Sequence, residues 1–209
     1  RVIAARSGLG YTPAMSQPAP ARATYEDLLS LPEHVVGEII AGVLYTQPRP
    51  AGPHTAVASA LGADIGTPFG RGRGGPGGWY ILDEPELHFD ADIVVPDLAG
   101  WRVERLPAEA RKQAFFTIAP DWVAEIASPA TTQRDRLMKV PLYAARGVAH
   151  LWLVEPVDAR IEAYKLIDAH WSWLGTWAEE REARIPPFDA VPLDLVALVG
   201  QEGLHEGLA

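Results

Sequence analysis

The chain has 209 residues, a formal net charge of -9 from 18 Lys+Arg against 27 Asp+Glu, and no cysteine. A chain of that length buries about 70% of its unfolded surface and needs neither disulfide nor metal to fold, and without cysteine it cannot be a zinc ribbon, a thiol enzyme or a disulfide scaffold. The acidic balance excludes a polyanion binder that relies on a broad basic surface, while leaving room for a local basic groove.

Residues 1–22 mix Ala, Pro and Ser without a period and read as a mobile leader, with one domain over 23–209. No apolar run approaches the roughly 18 residues of a membrane span, and the opening ten residues hold no signal-peptide core. These features, with the lack of cysteine, predict a soluble cytoplasmic protein. Thr24 and Asp27 form a capping box for a short helix through Leu28, Leu29 and Leu31, closed by Pro32. Two β-rich runs, 35–40 and 43–45, flank Ala41-Gly42 as a tight hairpin. After a proline-rich linker over 47–53, His54, Val57, Ala58, Leu61 and Ile65 fall at helical spacing.

A glycine-rich stretch over 69–78 carries Arg71 and Arg73, and short strands are expected at 79–82, 86–89 and 93–95. A weak helix over 106–113 precedes a compact apolar strand over 122–126. Thr132 with Asp135 opens a helix to Arg146, bent at Pro141 and stopped at Gly147. Strands at 150–155, 160–166 and 171–177 follow, then a mixed tail from Pro186. Helices and strands alternate through mostly short connections, which predicts a mixed α/β fold with several antiparallel pairs.

Three pieces carry chemistry together: Pro96-Asp97 closing one strand, Glu125 inside another, and Lys139 on the next helix. Strand alternation puts Ile93, Val95 and Asp97 on one face, and Val123 with Glu125 on one face. If the two strands are neighbours, two carboxylates meet at one end of a sheet. Burying unpaired charge costs several kcal/mol, and Mg²⁺, which takes one or two carboxylates with water and phosphate oxygens, would offset it. The helix, reached through Ser128-Pro129, would line up Arg136, Lys139 and Tyr143, and a lysine there would orient a metal-bound water. A buried ion-pair network without catalysis accounts for the same residues, and both readings stand at this point.

Other residues carry paired readings too. Glu38, ahead of Ile39 and Ile40, is either a site carboxylate or an edge-strand charge against aggregation. His54 follows Pro53 at a helix N-terminus, where the dipole lowers imidazole basicity; it is a neutral hydrogen-bonding group near the site or a helix-start residue. Glu86 is a further carboxylate or part of a solvated acidic loop, and Arg71 and Arg73 clamp phosphates or ride a mobile loop. Residues 131–146 hold Arg134, Arg136, Lys139 and Arg146 against Asp135, which is a local reversal of charge or a solvated helix face. Gly70, Gly72 and Gly75 match a dinucleotide fingerprint, but no strand leads in and Pro76 follows. Trp171, Trp173 and Trp177 suit a packing face or a dimer interface.

Val95-Pro96-Asp97-Leu98, then Val123-Ala124-Glu125-Ile126-Ala127-Ser128-Pro129, then Arg134-Asp135-Arg136 through Lys139 and Leu142-Tyr143, Gly147-Val148 and residues 151–156, with residues 38–44 and His54 upstream, resemble the Uma-type putative restriction endonuclease family of the PD-(D/E)XK nuclease superfamily. The resemblance runs from about Thr24 to Leu198. It implies a restriction-endonuclease-like core, a central mixed β-sheet flanked by helices. It implies Mg²⁺ (or Mn²⁺) held by Asp97, Glu125 and the Ile126 carbonyl, Lys139 as the catalytic lysine, and Glu38 as a further acidic member. The superfamily places its lysine two residues after the glutamate, where this chain has Ala127; Lys139 on the following helix takes that part. The expected function is hydrolysis of DNA by a homodimer, with a non-catalytic nuclease-fold interaction protein and a hydrolase of smaller phosphodiesters as rivals.

Overall fold

Ala41 (φ 54°) and Gly42 (φ 80°) both adopt left-handed backbone, the geometry a two-residue hairpin turn demands, and they join β1 (Val35–Ile40) to β2 (Val43–Pro48) as the sequence predicts. A computed structural model describes residues 21–48, 52–128, 132–158 and 160–199. The leader over 1–20, linker residues 49–51, Pro129 and the end of the tail lie outside the described residues. Ahead of the hairpin is α1 (Tyr25–Leu29), where the Thr24 N–H donates to Asp27 at 2.7 Å in the expected capping box.

β1 is flanked on its other side by β5 (Asp92–Val94), which pairs with β4 (Leu87–Phe89) to complete a four-stranded antiparallel sheet, β2-β1-β5-β4. The central sheet is mixed and six-stranded, in the order β10-β9-β8-β7-β6-β3. Its strands are β3 (Trp79–Asp83), β6 (Leu98–Arg102), β7 (Trp122–Ile126), β8 (His150–Glu155), β9 (Arg160–Ile167) and β10 (His170–Ala178). Only β7 and β8 run parallel among these pairs. A parallel pair needs a crossover, supplied by α3 (Thr132–Arg134), a π-helical turn (Asp135–Lys139) and α4 (Val140–Ala145).

Alternation along β7 sorts its residues between two cores. Trp122, Ala124 and Ile126 pack with Val57, Leu61 and Ile65 of α2 (Pro53–Ile65), while Val123 packs with Tyr143, Val148 and Leu151. Phe188 lies 4.8 Å from Phe69 and Trp79, 4.9 Å from Trp122 and 5.6 Å from Trp152, mostly edge-on or tilted, so the tail enters the first core. It ends in α5 (Leu195–Leu198), capped by Asp194. No helix of the described residues is long and apolar enough to cross a membrane.

Three expectations are corrected. The strand β6 was not foreseen, because Leu-Ala-Gly-Trp-Arg has little β signal; Gly100 is there because a Cβ would lie 3.2 Å from the Trp79 ring and 3.3 Å from that of Trp122. Asp97 therefore opens toward β6 instead of closing the strand that ends at Val94. The helix over 106–113 reduces to a single 3₁₀ turn, Ala110–Lys112. The predicted bend in the 132–146 helix is a π turn, in which the Val140 N–H reaches the Asp135 carbonyl just before Pro141, the residue without an N–H.

Candidate active site

Glu38 sits on β1, between β2 and β5, and is 1% exposed. It is thus a central-strand residue, which overturns the edge-charge reading. Its Oε1 accepts the Val95 N–H at 2.9 Å and lies 3.0 Å from Lys139 Nζ, while Oε2 lies 2.9 Å from Arg134. The strand pairing that buries Glu38 also aims it at the helical crossover.

Lys139, 2% exposed, is the hub. Its ammonium donates to the Val95 carbonyl at 3.0 Å and reaches Glu125 at 2.7 and 2.9 Å; Asp135 stands 3.9 Å away. Tyr143 donates its hydroxyl to Glu125 at 2.5 Å. Asp135, Lys139 and Tyr143 share the buried face at four-residue spacing. The wide π turn holds back the angular advance such a spacing makes in an α-helix, which keeps all three aligned. The predicted stripe of Arg136, Lys139 and Tyr143 is corrected accordingly: Arg136 turns outward to Glu162.

The electrostatics follow from this enclosure. Burial lowers the proton affinity of Lys139, but Glu125, Glu38, Asp135 and Asp97 outweigh it and hold the ammonium charged far above the usual lysine range. Burial pushes the proton affinity of Glu125 up; Lys139 opposes this, and Asp135, Asp97 and Glu38 add to it. Burial and then Glu125 and Glu38 raise Tyr143, so it remains a phenol donor.

Asp97 stands one step beyond the Leu98–Ala124 pair of β6 and β7, opposite Glu125 when that register is extended. Its carboxylate turns elsewhere: Oδ2 accepts the Ile126 N–H at 2.6 Å and Oδ1 lies 3.1 Å from His54 Nε2 on α2. Burial disfavours charge on His54, but the Asp97 hydrogen bond and charge, with Glu84 and Asp135, raise its pKa above the ordinary value. That reverses the lowering expected from the helix N-terminus. His54, Asp83, Glu84 and Asp97 line a recess of about 260 Å³. Glu125 and Asp135 line a separate, smaller recess with Arg136, Arg160 and Glu162.

The structure thus gathers Glu38, Glu125 and Lys139 in direct contact, sets Asp97 beside them through Ile126 with His54 against it, and leaves out Glu86, Arg71 and Arg73. Glu86 pairs with His88 at 2.6 Å. Arg71 and Arg73 are exposed on the glycine-rich loop. The basic stretch is no free patch: Arg134 meets Glu38, Arg136 meets Glu162, and Arg146 meets Asp90 and Asp92. Sequence reasoning missed Arg134 and Asp135 as members of the cluster. The spacing of Asp135, Lys139 and Tyr143 was the available signal, hidden by the assumption of a regular helix.

Four carboxylates, Glu38, Asp97, Glu125 and Asp135, surround two cations, Lys139 and Arg134. These hard oxygen donors fit a divalent ion such as Mg²⁺. Among the described residues no three acidic or histidine side chains form an ion site.

A family model described as Uma2, putative restriction endonuclease, matches residues 23–199. The crystal structure of a putative nuclease from Anabaena variabilis is similar, with a TM-score of 0.65 and 27% sequence identity, covering 85% of this chain and 97% of that chain. No curated protein matches.

Proposed function

We propose that this chain, which belongs to the Uma2 family of putative restriction endonucleases, is a metal-dependent endonuclease that hydrolyses DNA phosphodiester bonds. The observation that carries the reading is the buried Lys139 ammonium held between Glu38 and Glu125, with Asp97 anchored to the next residue of β7.

In this reading Asp97, Glu125 and the Ile126 carbonyl hold Mg²⁺ or Mn²⁺. When bound, such an ion activates a water and neutralises charge on the phosphate oxygens. Lys139, kept protonated by its acidic neighbours, serves as a fixed positive charge that stabilises the pentavalent transition state, and not as a base. Glu38 holds that ammonium in position and is itself braced by Arg134. Tyr143 fixes the orientation of Glu125. A two-fold dimer would present one such site to each DNA strand; sedimentation of the purified chain tests that arrangement.

Cleavage of plasmid and duplex oligonucleotides in Mg²⁺ or Mn²⁺, comparing wild type with Asp97→Ala and Lys139→Ala, tests the function. Loss in both variants supports it, and equal activity in all three ends it. One observation favours a rival reading, a nuclease fold kept for interaction: every carboxylate of the cluster already has a partner inside the protein. Calorimetric titration with Mn²⁺ separates the two. Binding that Glu125→Gln abolishes speaks for the enzyme, and no binding speaks for the rival.

A further inference from the structure

Two recesses reach the cluster from different sides, and only one of them carries arginine. The one on the α2 side is lined by Asp83, Glu84 and Asp97 and carries no arginine or lysine. The one between α3, β8 and β9 is lined by four carboxylates, Glu125, Asp135, Glu155 and Glu162, and carries two guanidinium groups, Arg136 and Arg160. Their side chains are 46% and 40% exposed, in contrast to Arg134 at 13%. Both converge on Glu162 from opposite oxygens, Arg136 at 3.3 Å from Oε2 and Arg160 at 3.7 Å from Oε1. These are long, open contacts. Glu162 is itself oriented by the Tyr164 hydroxyl at 2.9 Å.

We propose that Arg136 and Arg160 clamp one backbone phosphate of a polynucleotide, so that nucleic acid enters the site over β8 and β9 and not past α2. This rests on the hydrolytic reading above and adds the direction of approach and the binding residues. Two guanidinium groups that meet at one carboxylate are spaced to meet at one phosphate, whose oxygens offer the same forked acceptors. Glu162 keeps them in place until the phosphate arrives. The α2 side offers no guanidinium or ammonium group to hold the same phosphate.

The experiment is equilibrium binding of a fluorescein-labelled mixed-sequence duplex of about 20 base pairs, with Ca²⁺ in place of Mg²⁺, across a series of salt concentrations. Wild type, Arg136→Ala, Arg160→Ala, the double variant and Arg105→Ala as an exposed control are compared. Each single variant weakens binding several-fold, the double variant flattens the log–log salt slope by about one, and the control leaves both unchanged. No affinity in wild type, or an unaltered slope in the double variant, overturns the proposal. A wild type that binds through these arginines yet never cleaves would end the hydrolytic reading and leave this one standing. A wild type that cleaves while the double variant keeps its slope would do the reverse.

Discussion

Asp97 accepts the backbone N–H of Ile126 at 2.6 Å, so the acid ahead of β6 is tied to the residue after Glu125 on β7. The two candidate metal ligands are thereby fixed to one another through the main chain, without touching. Asp97→Asn keeps the shape and a carbonyl for that N–H while removing the charge. It should lower Mg²⁺-dependent cleavage by at least about 100-fold with little change in melting temperature. Initial rates and a thermal melt on the same preparation check this, and activity within about threefold of wild type would remove Asp97 from the site.

Lys139→Met tests the hub. The substitution leaves Glu38 and Glu125 buried beside an apolar chain, which should cost about 3–5 kcal/mol in urea unfolding. Adding Glu125→Gln should restore part of the loss, because one of the stranded charges is then gone. Additive costs in the double variant would mean that the two side chains do not depend on each other.

Tyr143→Phe keeps the ring and deletes the hydroxyl that Glu125 accepts at 2.5 Å. Lys139 still satisfies that carboxylate, so the expected stability loss is modest, about 1 kcal/mol. Cleavage should fall further than stability, since Glu125 loses its orientation; parallel denaturation and rate measurements separate the two effects.

His150 should make the fold sensitive to acid. Burial, with Lys165 close by, lowers its pKa from the ordinary 6.5, so the native state keeps it neutral where the unfolded chain is already protonated. Its contribution is complete above the unfolded pKa and is lost as the pH falls below it, with a slope of at most about 1.4 kcal/mol per pH unit. Urea midpoints at pH 7.5 and 5.5 should drop more in wild type than in His150→Gln. Equal drops would show that other groups set the acid response.

Phe188→Ala removes the ring shared by Phe69, Trp79, Trp122 and Trp152. A loss of about 3–5 kcal/mol in one cooperative transition is expected if residues 23–209 form one domain, as we infer. Two separate transitions would divide the tail from the rest.

Local features were legible wherever short-range physics decides them. The Ala41-Gly42 turn, the Thr24–Asp27 box and the spacing of Val57, Leu61 and Ile65 all appear where the residues place them. The strand β6 was not legible, because its reason is the close approach of two tryptophan rings at Gly100, from β3 and β7. The site divides in the same way. Residue types and spacing singled out Glu38, Asp97, Glu125 and Lys139, since charged groups inside apolar runs demand partners.

By itself the sequence marked Asp97, Glu125 and Lys139 as a candidate group, set a helix between the strands at 122–126 and 150–155, and carried the family pattern. Only the tertiary structure decided that β1 is a central strand, which buries Glu38 against Lys139. It also decided that a π turn presents Asp135 inward and Arg136 outward, and that Asp97 faces His54. The physical reason is that charge pairing depends on distances between segments far apart in the chain, and those distances exist only once the two sheets and the crossover have packed.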